Sequence, residues 1–594
     1  MGNLPRETRR PVNPSVEKIS HWISGAGGAV ALNDVDGDGL SNDACYVDTE
    51  TNQVLVAPVP GSAPRYAAFE LTPPETSFAK STTAPMGCLP ADVNADGRLD
   101  LLLYFWGRTP VLFLQKDVTP STLNAEHFVA QAVMPEERIY TDAASFTDLD
   151  GDSFPELILG NYFQDGCELL DPQSKTGVAM NLSMSRAMNG GKNRLLLWKD
   201  ATAGETPSVQ FEVASAALSD EVAHAWTLAI GTADLDGDQL PEIYFGNDFG
   251  PDRLLYNRST PGKLAFTLAE GKRGFATPTS KVVGHDSFKG MGIDFGDLNQ
   301  DGHLDMYVSN IAAEWALQEN HFAFISTGKP ELLRSGIAPF TDESESLGLA
   351  HSSWSWEAKL ADFNNDGILE TVQATGFMKG EKTRWPEMHE VAMGNDNLLQ
   401  YPMFWPKLEE GDDLSGDAWV YFYARSSSGR YFDISHAIGL GEQEISRGVA
   451  TADVDGDGDL DFAVGNQWQM SAVYLNQGQQ HGRSLGLSLL LPVRGAQASF
   501  AAHAGRPHAD LRGRAALGAE VRVKLPNGKE LVAQVDGGNG HSGERSHELL
   551  FGLADLPADQ PLPVTVSWRS PDGQVQKKNL ELNPGWHTLM LGQL

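Results

Sequence analysis

The chain has 594 residues and a formal charge of −35, from 44 basic against 79 acidic side chains. Acidity on that scale repels polyphosphate backbones and anionic bilayers, which sets aside nucleic acid and membrane surfaces as partners. A hydrophobic fraction of 41% marks a folded protein, 61 Gly and 33 Pro favour turns over long helices, and no apolar run reaches membrane-spanning length.

In chain order, residues 1–19 read as an N-terminal segment. Its basic residues are followed by no apolar stretch, so no signal peptide is expected there, and the segment reads as the start of a trimmed mature chain. A nine-residue acidic pattern then returns seven times. Positions 1, 3, 5, 7 and 9 of the first copy are Asp34, Asp36, Asp38, Leu40 and Asn42. The second has Asp92, Asn94, Asp96, Arg98 and Asp100, and the third Asp148, Asp150, Asp152, Phe154 and Glu156. The fourth carries Asp234, Asp236, Asp238, Leu240 and Glu242, and the fifth Asp297, Asn299, Asp301, His303 and Asp305. Asp362, Asn364, Asp366, Ile368 and Glu370 form the sixth, and Asp453, Asp455, Asp457, Asp459 and Asp461 the seventh. Successive copies start 58, 56, 86, 63, 65 and 91 residues apart, so a period near 60 carries two insertions.

Side-chain oxygens at positions 1, 3 and 5 of a tight loop converge, a carbonyl at 7 and an acid or amide at 9 close the cage, and Gly at 6 permits the turn. Ser153 and Gln239 replace that Gly in the third and fourth copies. Such an oxygen-only set suits calcium, up to seven ions in all, and not zinc or copper. An EF-hand loop also opens DxDxDG but needs a Glu at position 12 and flanking helices. The flanks here are strand-like runs such as LLLYF, ELILGN and DFAVGN. About 60 residues per unit suits a four-stranded blade, so the fold expected for residues 20–481 is all-β, a seven-bladed β-propeller.

The loops and the trailing LGN, FGN and VGN resemble FG-GAP (VCBS) repeats of integrin-α-like propellers. Phrases such as GNDFGPDRLLYN and KGMGIDFGDLNQDGHLDMYVSN resemble the cartilage-acidic-protein family. That resemblance implies calcium bound between the first and second strands of each blade. Insertions near 162–223 and 378–445, rich in Met and aromatics, either bind a partner or pack over the propeller mouth.

From residue 482 the alternation and the PNG and PDG turns read as a small antiparallel β domain, which resembles the ASPIC/UnbV module. Gly538, Gly540 and Gly543 spell GxGxxG, but no helix or second strand follows as dinucleotide binding would need. His389-Glu390 and His547-Glu548 lack the second His of a zinc helix, so no catalytic pair is nominated. Cys45, Cys88 and Cys167 permit one disulfide at most and are expected as packing residues. The function expected is a calcium-binding interaction protein, secreted, periplasmic or on a cell surface, with a protein or glycan partner. The alternatives are an enzyme with its pocket at the propeller axis or insertions, and a structural subunit of a larger surface assembly.

Overall fold

Each acidic loop joins two antiparallel strands, and the second of these begins at the carboxylate that ends the loop: Asp43, Asp100, Glu156, Glu242, Asp305, Glu370 and Asp461. In the computed structural model the described residues are 9–594 except 64, 75–77, 118–121, 286–288, 314–318, 395, 479–481, 509–510 and 571. Part of the expected N-terminal segment (1–8) and the end of the expected repeat region (479–481) therefore lie outside the described residues.

The chain is all-β. Among the described residues, seven consecutive antiparallel sheets run from Val30 to Tyr474, six with four repeat strands and the last with three. Their first strands are Val30–Asn33, Ala84–Ala91, Thr141–Thr147, Thr227–Ala233, Gly292–Gly296, Ser355–Ala361 and Ser446–Ala452. All seven are almost wholly buried. Each packs against the first strand of the next sheet, and that of the seventh packs against that of the first. Small residues make this crowding possible: a Cβ on Gly465 would meet the Gly28 carbonyl at 2.2 Å, and one on Gly292 would meet Glu357 Cα at 2.8 Å.

The insertions are narrower than the sequence reading expected. In the third and sixth sheets the extra chain lies between the second and third strands, at 162–193 and 376–420, because Arg194–Thr202 and Tyr421–Arg425 are repeat strands. The insertions share one core with the N-terminal segment. Val12, Val16, Ile19 and Ile23 pack with Leu169, Met180, Trp405 and Leu414, and the Trp22 ring lies edge-on to Trp354, Phe377 and Trp405.

Two cysteines expected only to pack are bonded. Cys45 in the second strand of the first sheet joins Cys88 in the first strand of the second sheet, while Cys167 is free. Sequence separation hid the pair, because only sheet-on-sheet packing brings the two strands together.

After residue 482 the strands form two sheets, the first built around Ser484–Leu491 and Gly585–Met590 and the second around Glu520–Lys524 and Leu562–Arg569, with a core of Leu, Val and Trp568. No helix among the described residues is long and apolar enough to cross a membrane.

Candidate metal loops and the axial segment

The seven loops share one backbone geometry. Positions 4 and 6 are left-handed in every copy, and the non-Gly residues Ser153 (φ 69°) and Gln239 (φ 63°) adopt the same conformation as Gly39 or Gly367. Both are held by neighbours: Arg514 donates to the Ser153 hydroxyl at 3.1 Å, and Gln239 Nε2 donates to Asp234 at 3.1 Å.

The position-one carboxylate accepts at least two backbone N–H groups in each loop. Asp92, for example, takes those of Asp96 (3.0 Å) and Gly97 (2.6 Å), and Asp453 takes those of Gly456 (2.8 Å) and Gly458 (3.0 Å). The position-five carboxylate accepts the N–H of position 7, as Asp96 does from Arg98 at 3.0 Å and Asp301 from His303 at 3.0 Å. The same bond reaches Leu40, Phe154, Leu240, Ile368 and Asp459.

The closing carboxylate reaches back to the N–H of position 2, from Asp100 to Val93 at 3.0 Å through Asp461 to Val454 at 3.0 Å. In five loops its other oxygen accepts an N–H at the third strand, such as that of Gln115 on Asp100 at 2.7 Å and that of Ser326 on Asp305 at 2.8 Å. One side chain thus ties loop, second strand and third strand.

The first loop departs from the expected assignment. Asp43, not Asn42, accepts the Val35 N–H at 2.8 Å and opens the second strand. This loop is one residue longer, so the closing role moves one place along the chain, while Asn42 donates weakly to Asp38 at 3.4 Å. Arg65 also enters this loop, 2.6 Å from Asp36, 2.9 Å from Asp38 and 2.6 Å from Asp43.

Ligand oxygens of Asp34, Asp36 and Asp43 lie within 4.8 Å of one another, as do those of Asp148, Asp150 and Glu156, of Asp234, Asp236 and Glu242, and of Asp453, Asp455 and Asp461. The second, fifth and sixth loops carry Asn94, Asn299 and Asn364 at position 3, which keeps an oxygen there with one charge fewer. Burial, reinforced by neighbouring carboxylates, pushes Asp34 up to about 8 and Asp92, Asp148 and Asp234 to about 7. Asp305, Asp362 and Asp461 are likewise raised to about 7, and Glu370 to about 9. A cation bound among these oxygens would supply the missing charge. The donor set is carboxylate and amide oxygen only, so it fits a hard divalent ion, and these buried clusters can hold metal ions.

A second arrangement was not legible in the sequence. The GxGxxG segment, residues 536–548, threads the centre of the seven sheets and contacts every one. Ser542 O accepts from Val30 N in the first sheet (3.1 Å), and Gly537 O from Phe146 N in the third (2.8 Å). Gly540 exchanges both backbone bonds with Ile230 in the fourth, and Ser546 N donates to Thr451 O in the seventh (3.0 Å). Tyr104 OH in the second sheet reaches His541 O at 3.4 Å, and Arg545 pairs with Asp294 in the fifth. In the sixth, the Glu357 carboxylate accepts the N–H groups of His541 (3.2 Å), Ser542 (3.1 Å) and Gly543 (2.6 Å), and pairs with the wholly buried Lys359 at 2.8 Å. The glycines are required by contact: a Cβ on Gly537 would meet Phe146 O at 1.7 Å, and one on Gly540, at φ 119°, would meet Glu357 Oε1 at 1.9 Å. The motif is a steric demand of the axis and not a phosphate cradle.

A buried His–Ser contact is unsuited to catalysis. His321 Nδ1 accepts the Asn310 N–H at 3.0 Å, so Nε2 carries the proton and donates to Ser352 Oγ at 2.6 Å. An imidazole in that tautomer cannot take the serine proton.

The FG-GAP-like repeat model matches residues 234–308, the FG-GAP repeat model 447–480, and the ASPIC and UnbV model 510–594. Cartilage acidic protein 1 of Homo sapiens is 27% identical over 164 residues, a match spanning 27% of this chain and 22% of that protein's length. Among solved structures, rhamnogalacturonan lyase PL11 of Bacillus licheniformis aligns at 12% identity over 73% of this chain and 80% of its own, with a TM-score of 0.30. The V. cholerae biofilm matrix protein Bap1 aligns at 12% over 76% of this chain and 63% of its own, with a TM-score of 0.22. Scores this low carry no argument about architecture or activity. The chain thus carries FG-GAP repeats and, over residues 510–594, an ASPIC and UnbV domain.

Proposed function

We propose that the chain is a calcium-stabilised interaction protein of the extracytoplasmic space, its seven sheets being the blades of a β-propeller. The observation that carries this reading is the closing carboxylate: in five of the seven repeats one buried acid ties the loop to two strands, so an ion in the loop would stiffen the blade. Up to seven ions are accommodated, the first in competition with Arg65, the fourth with Arg334 on Asp236 and the seventh with Arg506 on Asp453. The Cys45–Cys88 pair favours an oxidising compartment. Millimolar calcium there fills sites with dissociation constants of about 10⁻⁴–10⁻³ M.

The filled axis and the His321 tautomer speak against the enzyme reading. The binding face is assigned to the two insertions, which meet through Ser183 Oγ donating to Asp396 (2.7 Å) and Met180 N to Gln400 O (3.0 Å). They leave Met188, Met393, Tyr401, Met403 and Phe404 at least half exposed. Flexible thioethers beside aromatic rings suit an adaptable protein contact. Because the insertions share a core with the N-terminal segment, deleting one would disturb the fold, and surface substitution is the cleaner test. The triple variant Met393→Glu, Met403→Glu, Phe404→Glu is expected to melt like the wild type and to lose the protein that the wild type retains from native extract. Retention of the same protein by the variant refutes the assignment.

A further inference from the structure

The first and second sheets enclose a cavity of about 300 Å³ at the end of the strands away from the acidic loops. Its walls are chiefly apolar, from Leu71, Pro73, Pro74, Phe78, Pro85 and Phe105. One charged group stands among them. Arg108 follows the strand Asp100–Trp106 after Gly107, whose φ of 85° and 2.4 Å approach of a Cβ to Thr82 O admit only glycine. The arginine is 5% exposed, and its guanidinium lies over the Phe105 ring, 5.2 Å from the centroid.

Among the described residues nothing neutralises it. Nε and Nη2 are buried without a hydrogen-bond partner, and Arg108 has no ion pair among the described residues. The carboxylate that also lines the cavity, Glu70, is occupied by Gln53 Nε2 at 2.6 Å and Lys80 Nζ at 3.2 Å. Burial alone acts on the guanidinium and pulls its pKa down. An unpaired buried charge costs several kcal/mol, and buried polar atoms without partners are rare enough to need a reason. A second orphan faces the same space: Asn52 Nδ2 donates to Thr83 O at 3.1 Å, while Oδ1 is buried with no donor. The cavity therefore lacks one anion and one hydrogen-bond donor. Cys45–Cys88 cross-links the two sheets that form its walls.

We propose that this cavity binds a small hydroxy-carboxylic acid, its carboxylate on the Arg108 guanidinium, its hydroxyl donating to Asn52 Oδ1, and its apolar face against the prolines and Phe78. At about 300 Å³ the site is at the lower end of ligand pockets and takes one small acid, not a polymer segment. The inference is independent of the calcium loops.

The test is titration calorimetry on the full chain in constant calcium, with four probes. Mandelate and its neutral amide differ only in the anion, phenylacetate lacks the hydroxyl, and glucuronate with glucose as control asks whether the acid is a sugar acid or an aryl acid. One or both acids are expected to bind at least tenfold tighter than their neutral counterparts, with phenylacetate weaker than mandelate. Arg108→Gln is expected to remove that preference while the free protein melts no lower than the wild type, since an unpaired charge has gone. Equal binding of acid and neutral partner, unchanged binding by the variant, or no heat from any probe overturns the proposal. A variant that melts several degrees lower and leaves the heats unchanged gives Arg108 a purely structural role, which overturns it equally.

Discussion

If the acidic loops hold calcium as proposed, its removal is expected to reverse the sign of the pH dependence of stability. In the metal-free loops the folded-state pKa of Asp234 is about 7 against an ordinary 3.8, a rise of about three units. At 1.36 kcal/mol per unit, ionising that one buried group in the closed loop costs about 4 kcal/mol. A raised folded pKa means that the contribution is fully present below the unfolded value and is lost as pH climbs through the folded one. Asp92, Asp148, Asp305, Asp362 and Asp461 are raised to about the same point, so the losses coincide. All six shifts act in the same direction, so ionisation weakens the metal-free loops together over one pH interval. Calcium needs the ionised carboxylates, so the loaded protein gains stability over the same interval. Melting followed by circular dichroism at pH 5, 6, 7 and 8, in excess calcium or excess BAPTA, reads both slopes. The chelated melting temperature is expected to fall from pH 5 to 7 and to level off towards pH 8 while the loaded one holds or rises, and calcium but not zinc should restore it. Parallel slopes, or equal melting in chelator and calcium, refute the reasoning.

Two further outcomes follow from the axis and the disulfide. Glu357→Ala strips the partner from a wholly buried Lys359 and from three backbone N–H groups. It is expected to cost about 3–5 kcal/mol in denaturant unfolding. The double variant Glu357→Ala, Lys359→Met should recover part of that, and no recovery would mean that the charge pair is not the source. Replacing both Cys45 and Cys88 by Ala opens a closed loop spanning 43 residues, for which chain entropy predicts a loss of about 4 kcal/mol. A change below about 1 kcal/mol would show that residual structure in the unfolded chain already keeps the two cysteines close.

Seven spaced acidic loops were enough to read a repeat, an all-β fold and an oxygen-only ion chemistry, because alternate residues of a tight loop face one point whatever surrounds them. Other features depended on contacts between distant segments. Asp43 replaces Asn42 as the closing acid because the second strand starts there, and only the strand register shows that the first loop is one residue longer. Cys45 pairs with Cys88 because neighbouring sheets stack, and Arg65 enters the first loop from the far end of the same repeat. The glycines at 538, 540 and 543 match a nucleotide motif in letters only, as their sequence context already indicated, and their need is set by the close passage between buried strands. Spacing along the chain governs geometry within about ten residues of backbone. Which charges are left buried and unpaired, as at Arg108, is settled when the sheets close on one another and exclude water.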